Sequence, residues 1–220
     1  MDLATVDQLL TTTRSVRQRL DLSRPVAPEI LQQCLAIAIQ APTGGYRMGY
    51  HFVVVTEPPK RVQIAELYRR VWYEDYVPLH NQLHNQLPQH FPATEARILA
   101  SAGYLADHLH EVPTLIIPCI DWRPEAASPL GLAGQAGQWG SILPAVWSLM
   151  LALRARGVGA AWTTLHLKYE QEVATLLGIP SHVTQVALLP VAYFTGADFK
   201  AARRIPARER TYWDTWGHLQ

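Results

Sequence analysis

The run Thr13-Arg14-Ser15-Val16-Arg17 sets two guanidiniums and a hydroxyl within one short stretch. A guanidinium is planar, permanently charged and rich in N–H donors. It suits a phosphate or the carbonyl-bearing edge of a ring. If the preceding helix continues through this run, Arg14 and Arg17 share a face. A second basic cluster, Arg203, Arg204, Arg208 and Arg210, lies near the end of the chain. Two readings stand side by side. The clusters meet around one phosphorylated cofactor, or both are solvated arginines, as charge runs usually are.

Other residues with chemical potential are less well supported. His80 and His84 are four apart and His90 follows, which is helical ligand spacing. No nearby carboxylate or cysteine completes a set, so a solvated or lid role is expected and no metal. Gly131, Gly134, Gly137 and Gly140 recur every third residue. They match neither the phosphate-binding loop that ends in Gly-Lys-Ser/Thr nor the dinucleotide fingerprint. We read them as a loop lining a substrate channel, with Trp139 as part of its wall or as ordinary core. Cys34 and Cys119 sit in apolar stretches, where buried thiols in a reducing cytosol are expected rather than a disulfide.

The chain that must position these residues has 220 residues, enough for a substantial core. Its formal net charge of +1 lacks the basic balance of a nucleic-acid binder. No apolar run reads as long and clean enough to cross a bilayer, and the start Met1-Asp2-Leu3-Ala4 shows no export signal. The expectation is a cytoplasmic protein without a nucleic-acid or membrane partner.

Periodicity predicts a helix over 2–12 and a second from Pro28, whose Ile30, Leu31, Leu35, Ile37, Ala38 and Ile39 cover most of the cylinder. It stops at Ala41-Pro42-Thr43-Gly44-Gly45. His51–Thr56 reads as a central strand, and Pro58 starts a helix to about Tyr73. Residues 74–93 read as an inserted helical loop or lid. Thr94–Glu111 is the next helix, with Ile98, Leu99, Ala102, Leu105 and Leu109 inward. Val112–Ile120 reads as an edge strand because of Pro113 and Pro118. After a loop over 121–140, a helix capped by Ser141 runs to Arg156, apolar on nearly all sides. Strands are expected at 158–164 and 183–194, with a helix over 169–177 between them. The tail 206–220 carries Tyr212, Trp213 and Trp216, aromatics that call for a packing partner. No composition boundary divides the chain, so 1–220 reads as a single domain.

In order and spacing these pieces resemble the nitroreductase family of flavoenzymes. The pieces are Thr-Arg-Ser-Val-Arg at 13–17, Ala-Pro-Thr-Gly-Gly at 41–45, the helix ending at Gly157 with Gly-Ala-Ala-Trp-Thr-Thr at 159–164, and Leu-Gly-Ile-Pro at 177–180 with Arg-Arg-Ile-Pro at 203–206. The resemblance implies an α+β fold, a three-layer α-β-α sandwich with a mixed, mostly antiparallel sheet. It implies FMN held between two subunits of a homodimer, with the tail packing on the partner. By the same resemblance Thr13, Arg14, Ser15 and Arg17 contact the phosphate and the N1/O2 edge, and Arg204 completes the phosphate site. Pro42, Thr43 and Gly44 reach the flavin from the partner subunit, and Thr163, Thr164 and Leu165 lie near N5.

The implied activity is NAD(P)H-dependent reduction of a nitroaromatic, quinone or similar small aromatic acceptor by a ping-pong mechanism, with the flavin carrying the chemistry. Two departures are visible. Many members have arginine where Thr13 stands. Members commonly continue the Gly-Gly with Asn and then Gln-Pro-Trp, where this chain has Tyr46-Arg47-Met48-Gly49-Tyr50. Tyr46 is therefore a candidate substrate contact or a loop tyrosine at the dimer seam. The altered loop also admits a flavin-dependent dehydrogenase or dehalogenase. A non-catalytic flavin or ligand carrier is the alternative outside enzymes.

Overall fold

The strand β2 (Thr114–Ile120) organises the sheet and is buried at every position. A strand needs cover on both faces to be buried in this way. The computed structural model describes residues 2–83, 92–124 and 130–219. β1 (Tyr50–Val55) pairs with one side of β2, from Tyr50 opposite Ile120 to Val55 opposite Leu115. β4 (Thr184–Gln185) and β5 (Leu189–Tyr193) share its other side, and β3 (Val158–Ala160) lies beyond β5. All these pairings are antiparallel, and the surrounding helices make this the expected α+β fold.

The expected places of two strands are exchanged. β1 is at the edge of the order β1-β2-β5-β3, and β2 is inside it. Pro118 is tolerated inside because it falls where the partner of β2 changes from β5 to β4. Its carbonyl still accepts from Val186 N at 2.8 Å, so the proline gives up only its own donor there. The β-branched run of β1 marked a strand without marking its position. The expected strand over 183–194 is divided, because Leu188 turns aside to exchange backbone bonds with Thr163.

α2 (Pro28–Ala38) begins with proline and an acid, both favourable in the first turn. It buries Leu31, Cys34 and Ala38. Ile37 and Ile39 face outward, against the expectation of burial around most of the cylinder. α6 (Gly131–Arg154) lies against α2 and begins ten residues before Ser141, inside the stretch expected to be a loop. Ser141 is not a cap. Its Oγ donates to Gly137 O at 2.8 Å and accepts from Gly44 N at 3.0 Å.

Ile142, Val146, Leu149 and Leu153 of α6 are fully buried against Ile116, Ile120, Leu189 and Val191. At 24 residues α6 has the length and composition to cross a membrane, which the sequence reading did not expect. That face is instead the centre of the core. Leu143 and Trp147 on α6 remain exposed.

α3 (Pro58–Val71) buries Ile64, Ala65, Tyr68 and Val71. A π-helical turn (Trp72–Tyr76) leads into α4 (Val77–Leu83), so the start of the expected lid is helical. His84 and His90 lie outside the described residues. α5 (Pro92–His108) buries Leu105 and Ala106 and leaves Ile98 exposed, contrary to its assigned face. α7 (Glu170–Leu177) ends at Gly178 with φ +68°, a left-handed stop that glycine permits. Cys34 and Cys119 are free and buried, and burial pushes the Cys119 thiol up to about 12.

The strands and the helices α2 to α7 belong to a compact unit of residues 14–196. A second unit joins the N-terminal segment through Thr13 to the C-terminal segment from Ala197. It contains α1 (Leu3–Thr12), capped by the Asp2 side chain accepting from Ala4 N at 3.1 Å. Gln8 Nε2 donates to Asp198 Oδ2 at 3.1 Å. Tyr212 and Trp216 place their rings 4.7 Å apart in the tail, and Trp216 is largely exposed.

Candidate functional site

The helix does not continue through the arginine run. Thr13 is the C-cap of α1 with extended backbone, and its N and Oγ1 donate to Leu9 O at 3.1 and 2.6 Å. Its hydroxyl is thus committed to the helix end, and the expected helical face shared by Arg14 and Arg17 does not form. Residues 14–17 are instead laid on β3. Val16 N donates to Ala160 O at 2.9 Å, and the buried Val16 side chain packs on Gly159. A Cβ at Gly159 would stand 3.0 Å from Val16 Cβ, so glycine is what allows this approach.

That placement puts Arg17 within electrostatic reach of Tyr68, which bonds Thr163. The Tyr68 hydroxyl lies 2.9 Å from Thr163 Oγ1. Burial pulls the Arg17 guanidinium below its ordinary range, and the phenols of Tyr68 and Tyr76 oppose that shift. Burial pushes the Tyr68 phenol up, while the Thr163 bond and Arg17 act the other way. Arg14 shows the clearest demand for a ligand. Its Nε and Nη2 are buried and make no hydrogen bond. Desolvated donors on a cation carry a large penalty unless an acceptor meets them.

The Arg123 guanidinium makes a useful contrast. It lines an open cleft of about 910 Å³ beside α7. Its Nη1 is 2.7 and 2.6 Å from the two Glu170 oxygens, so the cation there is already neutralised. Arg123 therefore asks less of a ligand than Arg14 does.

The remaining predicted residues divide. Ser15 is half-buried between the two arginines. Thr163 N donates to Leu188 O at 3.1 Å and Thr163 O accepts from Leu188 N at 2.8 Å, which fixes its backbone. Thr164 is exposed and accepts from Leu167 N at 3.0 Å, and Leu165 is half-buried. Pro42, Thr43 and Gly44 lie on the loop between α2 and β1, held to α6 by the Gly44–Ser141 bond. Tyr46 follows on the same loop with φ +57° and is 82% exposed. Trp139 lies within α6, not in a loop, and packs edge-on to Trp122 at 5.2 Å. Arg204 belongs to the second unit, where it is exposed and donates to Arg203 O at 3.2 Å.

Nothing in the sequence pattern singles out Tyr68 as a site residue. Tyr68 falls on the buried stripe of α3 with Ile64 and Val71, so it reads as core. The available signal was its hydroxyl, because a buried phenol needs a partner.

The sequence model of the nitroreductase family matches residues 10–193. The chain belongs to the nitroreductase family. The matched span covers Arg14, Arg17, Tyr68 and Thr163. Solved structures agree on the fold of this nitroreductase-family protein. A BluB-like flavoprotein from Clostridium difficile is 16% identical, with a TM-score of 0.68 over 98% of this chain and 100% of that one. Nitroreductase A from Vibrio parahaemolyticus is 17% identical, with a TM-score of 0.66 over 97% of this chain and 76% of that one. An iodotyrosine deiodinase bound to FMN and 3-iodo-L-tyrosine is 22% identical, with a TM-score of 0.66 over 90% of this chain and 94% of that one. At family level the activity is that of a flavin oxidoreductase.

The residues present fit a phosphorylated flavin. Arg14 offers buried donors without an acceptor, and Ser15 stands beside it. Arg17 and Thr163 supply a cation and a hydroxyl, the one acting electrostatically on the Tyr68 phenol and the other bonded to it.

Proposed function

We propose that the protein is an FMN-dependent oxidoreductase. It takes reducing equivalents from NAD(P)H and reduces a nitroaromatic, quinone or similar electron-poor aromatic acceptor in alternating steps. The observation that carries this reading is the pair of buried, unpartnered donors on Arg14. Bound FMN would supply a two-electron carrier able to accept hydride and release it to an acceptor. Arg14 and Ser15 hold its phosphate, and Arg17 stabilises negative charge at the ring edge. Thr163, Thr164 and Leu165 line the ring, and Tyr46 contacts the acceptor from an exposed loop.

The working form is a homodimer. Ile37, Ile39, Leu143 and Trp147 are exposed apolar side chains on α2 and α6, which supports a second copy covering them. Exposed Trp213 and Trp216 support packing of the tail on that copy. The free thiols of Cys34 and Cys119 support a reducing, cytoplasmic setting.

A second reading, flavin-dependent dehalogenation or dehydrogenation, has the Tyr46 loop in its favour. The deiodinase of the same fold holds FMN and 3-iodo-L-tyrosine. One experiment separates these readings. Purified protein loaded with FMN is mixed anaerobically with NADPH and with NADH, and the visible flavin absorbance is followed. Bleaching by either, with return of colour on adding a quinone, supports the reductase. Persistent colour favours the second reading. Protein that takes up no FMN contradicts both.

A further inference from the structure

Tyr68 is 2% exposed, on the inward stripe of α3 with Ile64 and Val71. Its ring belongs to the core, but its hydroxyl leaves it and meets Thr163 Oγ1 at 2.9 Å. Distance alone lets either oxygen donate. Whichever oxygen donates, the bond ties the Thr163 hydroxyl to a phenol that the core holds in place. The Thr163 backbone is fixed as well, because its N and O are both bonded to Leu188 at 3.1 and 2.8 Å.

We propose that Tyr68 is a positioning residue that holds the Thr163 hydroxyl in one orientation toward the bound flavin ring. This rests on the reading of residues 14–17 and 163–165 as the flavin site. A fixed orientation matters to that chemistry. A hydroxyl aimed at a ring nitrogen or carbonyl stabilises the charge that develops there on reduction, and a freely rotating hydroxyl does so less. The alternative is that the Tyr68–Thr163 bond only satisfies two buried groups, which would affect stability and nothing else.

The test uses full-length protein reconstituted with FMN as wild type, Tyr68→Phe, Thr163→Val, Thr163→Ser and the Tyr68→Phe/Thr163→Val double variant. For each, three quantities are measured: the flavin reduction potential against a reference dye, the visible absorption maximum, and the rate of anaerobic reduction by NADPH. The expected result is that Tyr68→Phe and Thr163→Val shift the potential and the spectrum in the same direction. Each should slow reduction about tenfold, the scale of one oriented hydrogen bond. The double variant should be no slower than the worse single variant, since the two residues act as one unit. Thr163→Ser, which keeps the hydroxyl, should shift less than Thr163→Val.

If FMN binds and Tyr68→Phe keeps the wild-type potential and spectrum, the inference is overturned and the flavin reading survives. Single effects that multiply in the double variant overturn it as well. Wild-type protein that takes up no FMN overturns the flavin reading first and this inference with it.

Discussion

Val16 N donates to Ala160 O at 2.9 Å, so the arginine run is held to the end of β3 three residues before Thr163. The bond depends on Gly159, whose missing side chain leaves room for Val16 Cβ and Leu20 Cδ2. We predict that Gly159→Ala destabilises the fold by about 1–3 kcal/mol, the usual penalty of overpacking. Gly159→Val should do more and should loosen flavin binding beyond its effect on the melting temperature. Urea denaturation together with FMN titration of each variant checks this.

Arg14 should behave as a residue held for its ligand rather than for the fold. Its Nε and Nη2 are desolvated without compensation. We predict that Arg14→Leu leaves the ligand-free protein as stable or up to ~1 kcal/mol more stable. The same change should weaken FMN binding by about 10- to 100-fold, the scale of charge-assisted hydrogen bonds. Thermal melts with and without FMN should therefore move in opposite directions. A parallel fall in both would assign Arg14 a structural role.

His166 makes stability depend on pH. It follows Leu165 and is 0% exposed, with no hydrogen bond to either ring nitrogen. Burial lowers its pKa from 6.5 to about 3, and the adjacent Gln185 carboxamide offsets this only in part. The folded protein therefore keeps the imidazole neutral where the unfolded chain binds a proton. This contribution is fully present above pH 6.5 and is lost as pH falls toward about 3. The slope approaches ~1.4 kcal/mol per pH unit inside that window. His166→Met should flatten the fall in the urea midpoint between neutral and acidic pH. An equally steep fall in the variant would place the titrating group elsewhere.

The outward face of α6 predicts the oligomeric state. Leu143 and Trp147 are exposed there, as Ile37 and Ile39 are on α2. Trp147→Glu should convert a dimer to a monomer in sedimentation velocity and should weaken flavin retention. The substituted side chain points away from the core, so the melting temperature of the monomer should change little.

Much of this architecture was legible from local pattern. Pro28 and Glu29 marked the start of α2, and Val53, Val54 and Val55 marked a strand. The resemblance, not local pattern, assigned the 14–17 and 163–165 runs to one flavin site, and in the fold Arg17 and Thr163 both act on the Tyr68 phenol. The misses come from contacts that local sequence does not encode. Glycines at 131, 134, 137 and 140 weaken helix propensity by about 1 kcal/mol each, yet α6 runs through them with Gly44 bonded to Ser141 and Trp139 set against Trp122. Pro118 argued for an edge strand, and only the change of partner from β5 to β4 shows why it sits inside. Tyr68 read as core because its ring is core, and its hydroxyl acquires meaning only when Thr163, 95 residues away, arrives beside it.

The central claim is that the guanidinium of Arg14 awaits the phosphate of a flavin, and the direct measurement compares flavins with and without that phosphate. Ligand-free protein is titrated with FMN and with riboflavin, and quenching of flavin fluorescence gives each dissociation constant. The account predicts saturable FMN binding, with riboflavin weaker by about 100-fold, equivalent to ~3 kcal/mol of charge-assisted contacts. Equal affinity for the two flavins, or no binding of FMN, would contradict it.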